Sequence, residues 1–465
     1  MNRSIEVSLF LLIGSAIIVL LLEGLGPKIS FKDTKEKPHI RLFCIASILM
    51  LGSFLLMELY NSTKLHKVPD QYINHIAAIF LMINTLGAIF IGQKTLKNFQ
   101  TGQMYFLLLC ALILAIANIA SPDLLVKFIT SISWLIVMTT LVLKSADTAL
   151  KTEIGIKMMV NIMVLALLFL MGLIFIKTAY KNIELTKISA NIAGSKLLGV
   201  PGLLLILASF LVLGGIPPFH FSHIDAAHGG NVAISFLLLG NGAIQCGTNL
   251  SGVVKLLSKF QTSYEKSATL VIITLLCGYL LLLLRASDQS KIKRTFIYMA
   301  ASLAPIFALT LSFGSSILTP KLIYLLILYI FLSLSLFILF YSLSYLSPLD
   351  QHTPTWEDIA GLGKSLRVSS LCLMISLASL SGMPGTLGFF VKLSLIAKIQ
   401  KSIWLNLAIF LSILIGTGCT MRIFVFLFSK EPRVPHEVEH LSTIPFILIC
   451  GSSLLIFFGF FPFIR

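Results

Sequence analysis

Apolar runs of about 20 residues, each closed by a short polar stretch, recur along the whole chain, and that is the length a helix needs to cross a ~30 Å hydrocarbon core. The pattern predicts an all-α polytopic membrane protein with about 14 transmembrane helices. They are expected over residues 5–24, 40–60, 73–92, 103–121, 124–144, 157–177, 198–216, 231–256, 268–285, 295–314, 321–346, 368–398, 403–428 and 442–463. The runs are continuous rather than alternating, which excludes a transmembrane β-barrel. The first run follows MNRSIEV, lacks a small-residue cleavage site and leads into a second span, so it reads as a retained helix and not a secretory signal.

Two runs are interrupted by the same chemistry. Residues 211–231 read LVLGGIPPFHFSHIDAAHGGN, with Pro217 and Pro218, and residues 379–392 read SLSGMPGTLGFFVK, with Pro384 and Gly385. Glycine permits unusual backbone angles and proline removes a donor, so the freed carbonyls must line protein or water rather than lipid. Matched breaks in two halves point to an inverted-repeat transporter with its pathway near the midplane. A simple kink is the alternative for either break alone. The spacing suggests a three-helix segment over 1–100, a first inverted repeat over 101–260 (helices 4–8), a second over 261–430 (helices 9–13) and a C-terminal helix over 431–465.

Composition excludes the soluble classes. With 57% hydrophobic and 12% charged residues, the chain holds more apolar surface than a single soluble core could hide. The net charge of +16 would suggest nucleic acid in a soluble protein. Here the cations sit in short loops, as Lys28, Lys32, Lys35, Lys37 and Arg41, then Lys144 and Lys151, then Lys291, Lys293 and Arg294. Membrane topology and contact with anionic lipid explain them, with these clusters on the cytoplasmic side, although Lys177, Lys181, Lys187 and Lys196 crowd the opposite side. No polar stretch is long enough for a domain, and there is neither a P-loop nor a GxGxxG turn, so redox or ATP chemistry must belong to partners. The seven cysteines are scattered singly and read as packing residues.

Lys392 is the most informative single residue, because a charge inside an apolar span costs roughly 2.5 to 3.5 kcal/mol on insertion scales and marks a functional site. His220, His223, Asp225 and His228 follow the first break and suggest a polar cap that takes up protons, with a structural cap or a metal site as alternatives. Asn241, Gln245 and Asn249 recur every four residues and share one helix face, where they could line a water file or glue helices together. The fifth span carries Thr130, Ser131 and Ser133 beside Trp134, hydroxyls that ordinarily bond their own backbone. Lys144, Asp147, Lys151, Glu153 and Lys157 read as solvated helix ends, and Arg422 as a snorkelling side chain or one that meets a neighbouring subunit.

GGIPPFHFSHIDAAHGG, SLSGMPGTLGFFVK and, between them, SDQSKIKRTFIYMAASLAPIFAL resemble the corresponding segments of the proton-translocating membrane subunits of respiratory complex I and the related cation/proton antiporters. Within that family the chain is most similar to subunit N of bacterial complex I, the counterpart of mitochondrial subunit 2. The resemblance implies proton movement along midplane ionisable residues, driven by quinone reduction elsewhere. On that implication Lys392 is the relay lysine of the second broken helix, His220 and Asp225 are the polar residues after the first break, and Lys293 and Arg294 open the tenth span. Thr130, Leu213 and Gly242 stand where the family carries a glutamate and two lysines, and none is charged, so the implied pathway is a reduced one.

The expected function is therefore that of a divergent membrane subunit of a proton-translocating NADH:quinone oxidoreductase. The pathway would be lined by Asn241, Gln245, Asn249, Thr130 and Ser133. The alternatives are a cation/proton antiporter or hydrogenase-type membrane subunit, and a structural subunit without transport. No cofactor or metal is expected in this chain; flavin, iron–sulfur clusters and quinone are expected on partner subunits, with other complex I membrane subunits and lipid as neighbours. The expected location is a bacterial inner membrane, with the mitochondrial inner membrane as alternative.

Overall fold

The computed structural model describes residues 9–19, 38–64, 69–95, 102–146, 148–190, 198–257, 264–313, 321–346, 356, 360–365, 367–398, 403–428 and 444–460. Lys28, Lys32, Lys35, Lys37, Asp147 and Lys196 lie outside these residues. The described chain is helical: α1 (Leu9–Val19), α2 (Pro38–Lys64), α3 (Pro69–Thr95), α4 (Gly102–Ala120), α5 (Leu124–Ser145), α6 (Thr148–Tyr180), α7 (Leu185–Ala190), α8 (Gly199–Leu213), α9 (Phe221–Gly229), α10 (Val232–Leu257), α11 (Tyr264–Ser287), α12 (Ile292–Ala301), α13 (Leu303–Phe313), α14 (Lys321–Leu346), α15 (Leu362–Ser365), α16 (Arg367–Ser381), α17 (Leu387–Lys398), α18 (Ile403–Phe428) and α19 (Ile444–Phe460). Among the described residues, eight helical stretches are long and apolar enough to cross a membrane. The shorter apolar helices include α8, α16 and most of α17, the pieces that flank the two breaks.

The chain divides into two compact units, residues 1–214 with 225–268, and residues 215–224 with 269–465. In the first unit the turn from α4 to α5 follows from two residues. Pro122 supplies no N–H to continue α4, and Asp123 then caps α5 by accepting from the Leu125 N–H at 2.9 Å. An antiparallel bridge between Asp123 and Glu184 ties this turn to the start of α7. The core is aromatic and tightly packed: Phe169 lies 5.5 Å from both Phe128 and Phe210, and Trp134 is fully buried. Helices α6 and α8 approach so closely at Gly172 that a Cβ there would sit 2.6 Å from Ile206, the small-residue packing expected of helices in lipid.

In the second unit the expected span over 295–314 is one apolar stretch, Ile292–Phe313, interrupted at Ser302 between α12 and α13. Pro305 removes the donor that would have bonded the Ala301 carbonyl, and α12 ends there. Arg422 finds its contacts at a helix end. Its guanidinium donates to the Ser287 carbonyl at 2.5 Å, at the C-terminus of α11, and lies 4.4 Å over the Trp356 ring. It thus binds the negative end of a helix dipole and rests on an aromatic face.

Candidate functional site

The second break is narrow. Helix α16 stops at Ser381 and α17 starts at Leu387, with Gly382 at φ +80° and Gly385 at φ +85° turning the chain between them. These left-handed angles favour glycine, because a Cβ would meet the following carbonyl. The carbonyls at the end of α16 can be followed one by one. The Ala378 oxygen accepts from the N–H groups of Gly382 and Met383, both at 3.0 Å, and the Ser379 oxygen accepts from Gly382 at 3.1 Å. The helical partner of the Leu380 oxygen would be residue 384, a proline without an N–H.

Lys392 supplies what the break removes. Its Nζ donates to the Leu380 carbonyl at 3.3 Å and to the Ser381 carbonyl, and it lies 5.3 Å from the Tyr279 ring centre. The side chain has no solvent exposure at all. A Cβ on Gly382 would come within 2.7 Å of Lys392 Cδ and Nζ, so glycine there serves both the turn and the room for the ammonium. The charge that is solitary in the sequence thus meets backbone dipoles and an aromatic face, and no ion pair holds it among the described residues.

The first break is also present: α8 ends at Leu213 and α9 begins at Phe221, so residues 214–220 are not helical. Pro217 and Pro218 are the residues that would have bonded the Leu213 and Gly214 carbonyls. Gly242 of α10 packs beside the Leu213 oxygen, 3.5 Å from where its Cβ would be. His220 and His223 are buried, His223 against Gly215 (φ +61°) and His220 with its ring 6.3 Å from that of Tyr298. Asp225 instead pairs with Lys157 of α6 at 2.6 Å, and Lys157 also holds Glu153 at 2.5 Å. The charges read as solvated helix ends therefore include a link between α6 and α9. No group of three or more His, Cys, Asp or Glu side chains is placed to hold a metal among the described residues.

Asn241, Gln245 and Asn249 are all buried on one side of α10. Asn241 accepts from Asn84 of α3 at 3.2 Å, Gln245 Nε2 reaches the Asn241 carbonyl at 3.4 Å, and Asn249 donates to Asn118 Oδ1 of α4 at 2.5 Å. At the end of this row stands a residue that the sequence reading passed over. Lys127 of α5 is 5% exposed, and its Nζ donates to Asn249 Oδ1 at 2.6 Å and to the Asn118 carbonyl at 2.7 Å. Asn118 Nδ2 in turn donates to the Thr130 and Ser131 hydroxyls at 3.0 and 2.7 Å, while Ser133 is only half-buried. A lysine one turn into a span ordinarily snorkels, so its position alone does not mark it. The available signal was Pro122, four residues after Asn118, in the same relation as Pro384 to Leu380.

The sequence matches the family described as NADH:quinone oxidoreductase/Mrp antiporter, TM, over residues 121–417. It is 23% identical to NADH-quinone oxidoreductase subunit N 2 of Thermodesulfovibrio yellowstonii, across 91% of this chain and 92% of that protein. Its fold is similar to a chain of the archaeal membrane-bound sulfane sulfur reductase (TM-score 0.82, 18% identity, covering 99% and 95% of the two chains). It is also similar to a chain of respiratory complex I from Thermus thermophilus (TM-score 0.77, 16% identity, 98% of each chain). With the family match spanning well over half of its length, this chain belongs to the NADH:quinone oxidoreductase/Mrp antiporter transmembrane family.

Proposed function

We propose that this chain is an N-type membrane subunit of a bacterial NADH:quinone oxidoreductase and carries protons through a reduced pathway centred on Lys392. The observation that carries this reading is a fully buried ammonium bound to carbonyls that a helix break has released. Such a charge is costly to insert in a membrane and is retained where it moves or binds charge. Thr130, Leu213 and Gly242 remain uncharged, and the amide row of α10 leads from Asn241 to Asn249 on the other unit's interior.

In this reading the chain holds no flavin, cluster or quinone, which belong to partner subunits, and it crosses an inner membrane about 14 times. The two breaks would belong to inverted five-helix repeats over 101–260 and 261–430, flanked by the segments 1–100 and 431–465. Lys392→Ala in a complex that still assembles is expected to lower the proton-to-electron ratio of membrane vesicles oxidising NADH. An unchanged ratio overturns the reading. The likeness to the sulfane sulfur reductase chain favours a second reading, a subunit of a related complex with a different electron donor. Purification from the native membrane, with identification of the proteins that come with the chain, separates the two.

A further inference from the structure

Lys127 and Lys392 occupy equivalent chemical positions in separate units. Each ammonium binds a last-turn carbonyl whose helical partner would have been a proline four residues on: Asn118 with Pro122, and Leu380 with Pro384. Both carbonyls lie at the negative end of a helix dipole, which favours a cation there. Both lysines are buried, and Lys127 Nζ donates to neutral oxygens from α4 and from α10.

We infer that Lys127 is a second proton-exchanging lysine, serving the first unit as Lys392 serves the second. The inference rests on the proton-translocation reading above. In the step, one N–H bond of the ammonium breaks, its electron pair stays on Nζ, and the proton passes to a water molecule. Uptake of a proton from water on the other side restores the ammonium, so no net charge is left behind. Asn118 and Asn249 position the group, since Asn249 accepts from Nζ while donating to Asn118. One turn along α10, Gln245 Oε1 is buried and accepts no hydrogen bond among the described residues. A buried acceptor of that kind is ordinarily met by water, which would carry the proton along the Asn249, Gln245, Asn241 face.

A fixed, never-titrating helix cap is the competing role, and arginine separates the two because its guanidinium keeps the charge and the donors but does not deprotonate. The test uses the whole complex in native membrane vesicles, with Lys127→Arg, Lys127→Gln and Lys392→Ala measured together for quinone reduction and proton-to-electron ratio. Both Lys127 variants are expected to lose the proton share that this subunit carries. A wild-type ratio in Lys127→Arg, or in Lys127→Gln, overturns the inference.

Should neither assemble, Asn249→Asp decides. A carboxylate beside the ammonium holds its proton, so the ratio is expected to fall, and an unchanged ratio overturns the inference. A fall in Lys392→Ala with none at Lys127 removes only this inference, whereas no fall in any variant removes the proton-translocation reading as well.

Discussion

In the second unit the ammonium of Lys392 is held by the backbone: the Leu380 and Ser381 carbonyls, with the Tyr279 face nearby. In the first unit Lys127 has one backbone acceptor, the Asn118 carbonyl, and one side-chain acceptor, Asn249. The first arrangement is made by bending a helix, and the second by sending a partner from another helix. A backbone site can therefore be damaged only through the turn that builds it, while a side-chain site can be taken apart one residue at a time. The difference also separates what each site costs to maintain, because Lys392 needs two glycines at positive φ and Lys127 needs none.

Gly388→Ala should give the largest effect. A Cβ there would run into the Ser379 carbonyl, which is backbone and cannot move aside. The α16–α17 contact that shapes the Lys392 site would open, at a cost of about 3 kcal/mol or more. The amount of assembled complex in membranes and its thermal midpoint should both fall. Gly252→Ala on α10 is the matched control in the first unit, since nothing lies within 4 Å of its Cβ position. Equal losses in the two variants would mean that helix glycines are sensitive everywhere and that the break is not special.

Asn249→Leu comes next, because it removes one of the two acceptors of Lys127 without altering any turn. Hydrogen bonds to a charged group contribute roughly 1.5 to 3 kcal/mol, and the stranded ammonium should lower the thermal midpoint of the assembled complex accordingly. A midpoint equal to wild type would show that Asn249 does not hold the charge. No comparable substitution exists in the second unit, where the acceptors are carbonyls.

The two sites differed equally in how legible they were. Pro384, Gly385 and Lys392 lie within nine consecutive positions, so the break and its lysine announce each other locally. Lys127 meets Asn249 across 122 positions, and no local pattern joins them. The helices themselves follow from apolar run length, and the first break from its paired prolines. The interruption at Ser302 is not legible, because one proline, Pro305, inside an apolar run is tolerated in many membrane helices. Sequence proximity groups Asp225 with its neighbouring histidines, whereas the fold pairs it with Lys157. Sequence spacing finds groups on one face; it does not choose among partners on other helices.

Arg422→Met sharpens the comparison from a third position. Like Lys392, Arg422 binds a carbonyl at a helix end, that of Ser287, but it does so at an exposed site and leans on Trp356. Losing an exposed cation–π contact and a dipole interaction should cost about 1 kcal/mol. The thermal midpoint should shift by less than for Asn249→Leu, and a larger shift would show that exposure does not set the worth of these caps.

Asp225→Asn should have the smallest effect, and the reason separates ion pairs from buried lone cations. Lys157 and Asp225 side chains are 40% and 19% exposed, so water already solvates much of the pair. Exposed pairs contribute roughly 0.2 to 1 kcal/mol, and Lys157 retains Glu153 when Asp225 is neutralised. Because an exposed pair is screened, raising the salt concentration should shrink even this difference, whereas the Asn249→Leu effect, set at a buried site, should persist. If Asp225→Asn instead lowers the midpoint as far as Asn249→Leu and does so at high salt, the pair is not screened by solvent. The link between α6 and α9 would then rank with the lysine sites rather than below them.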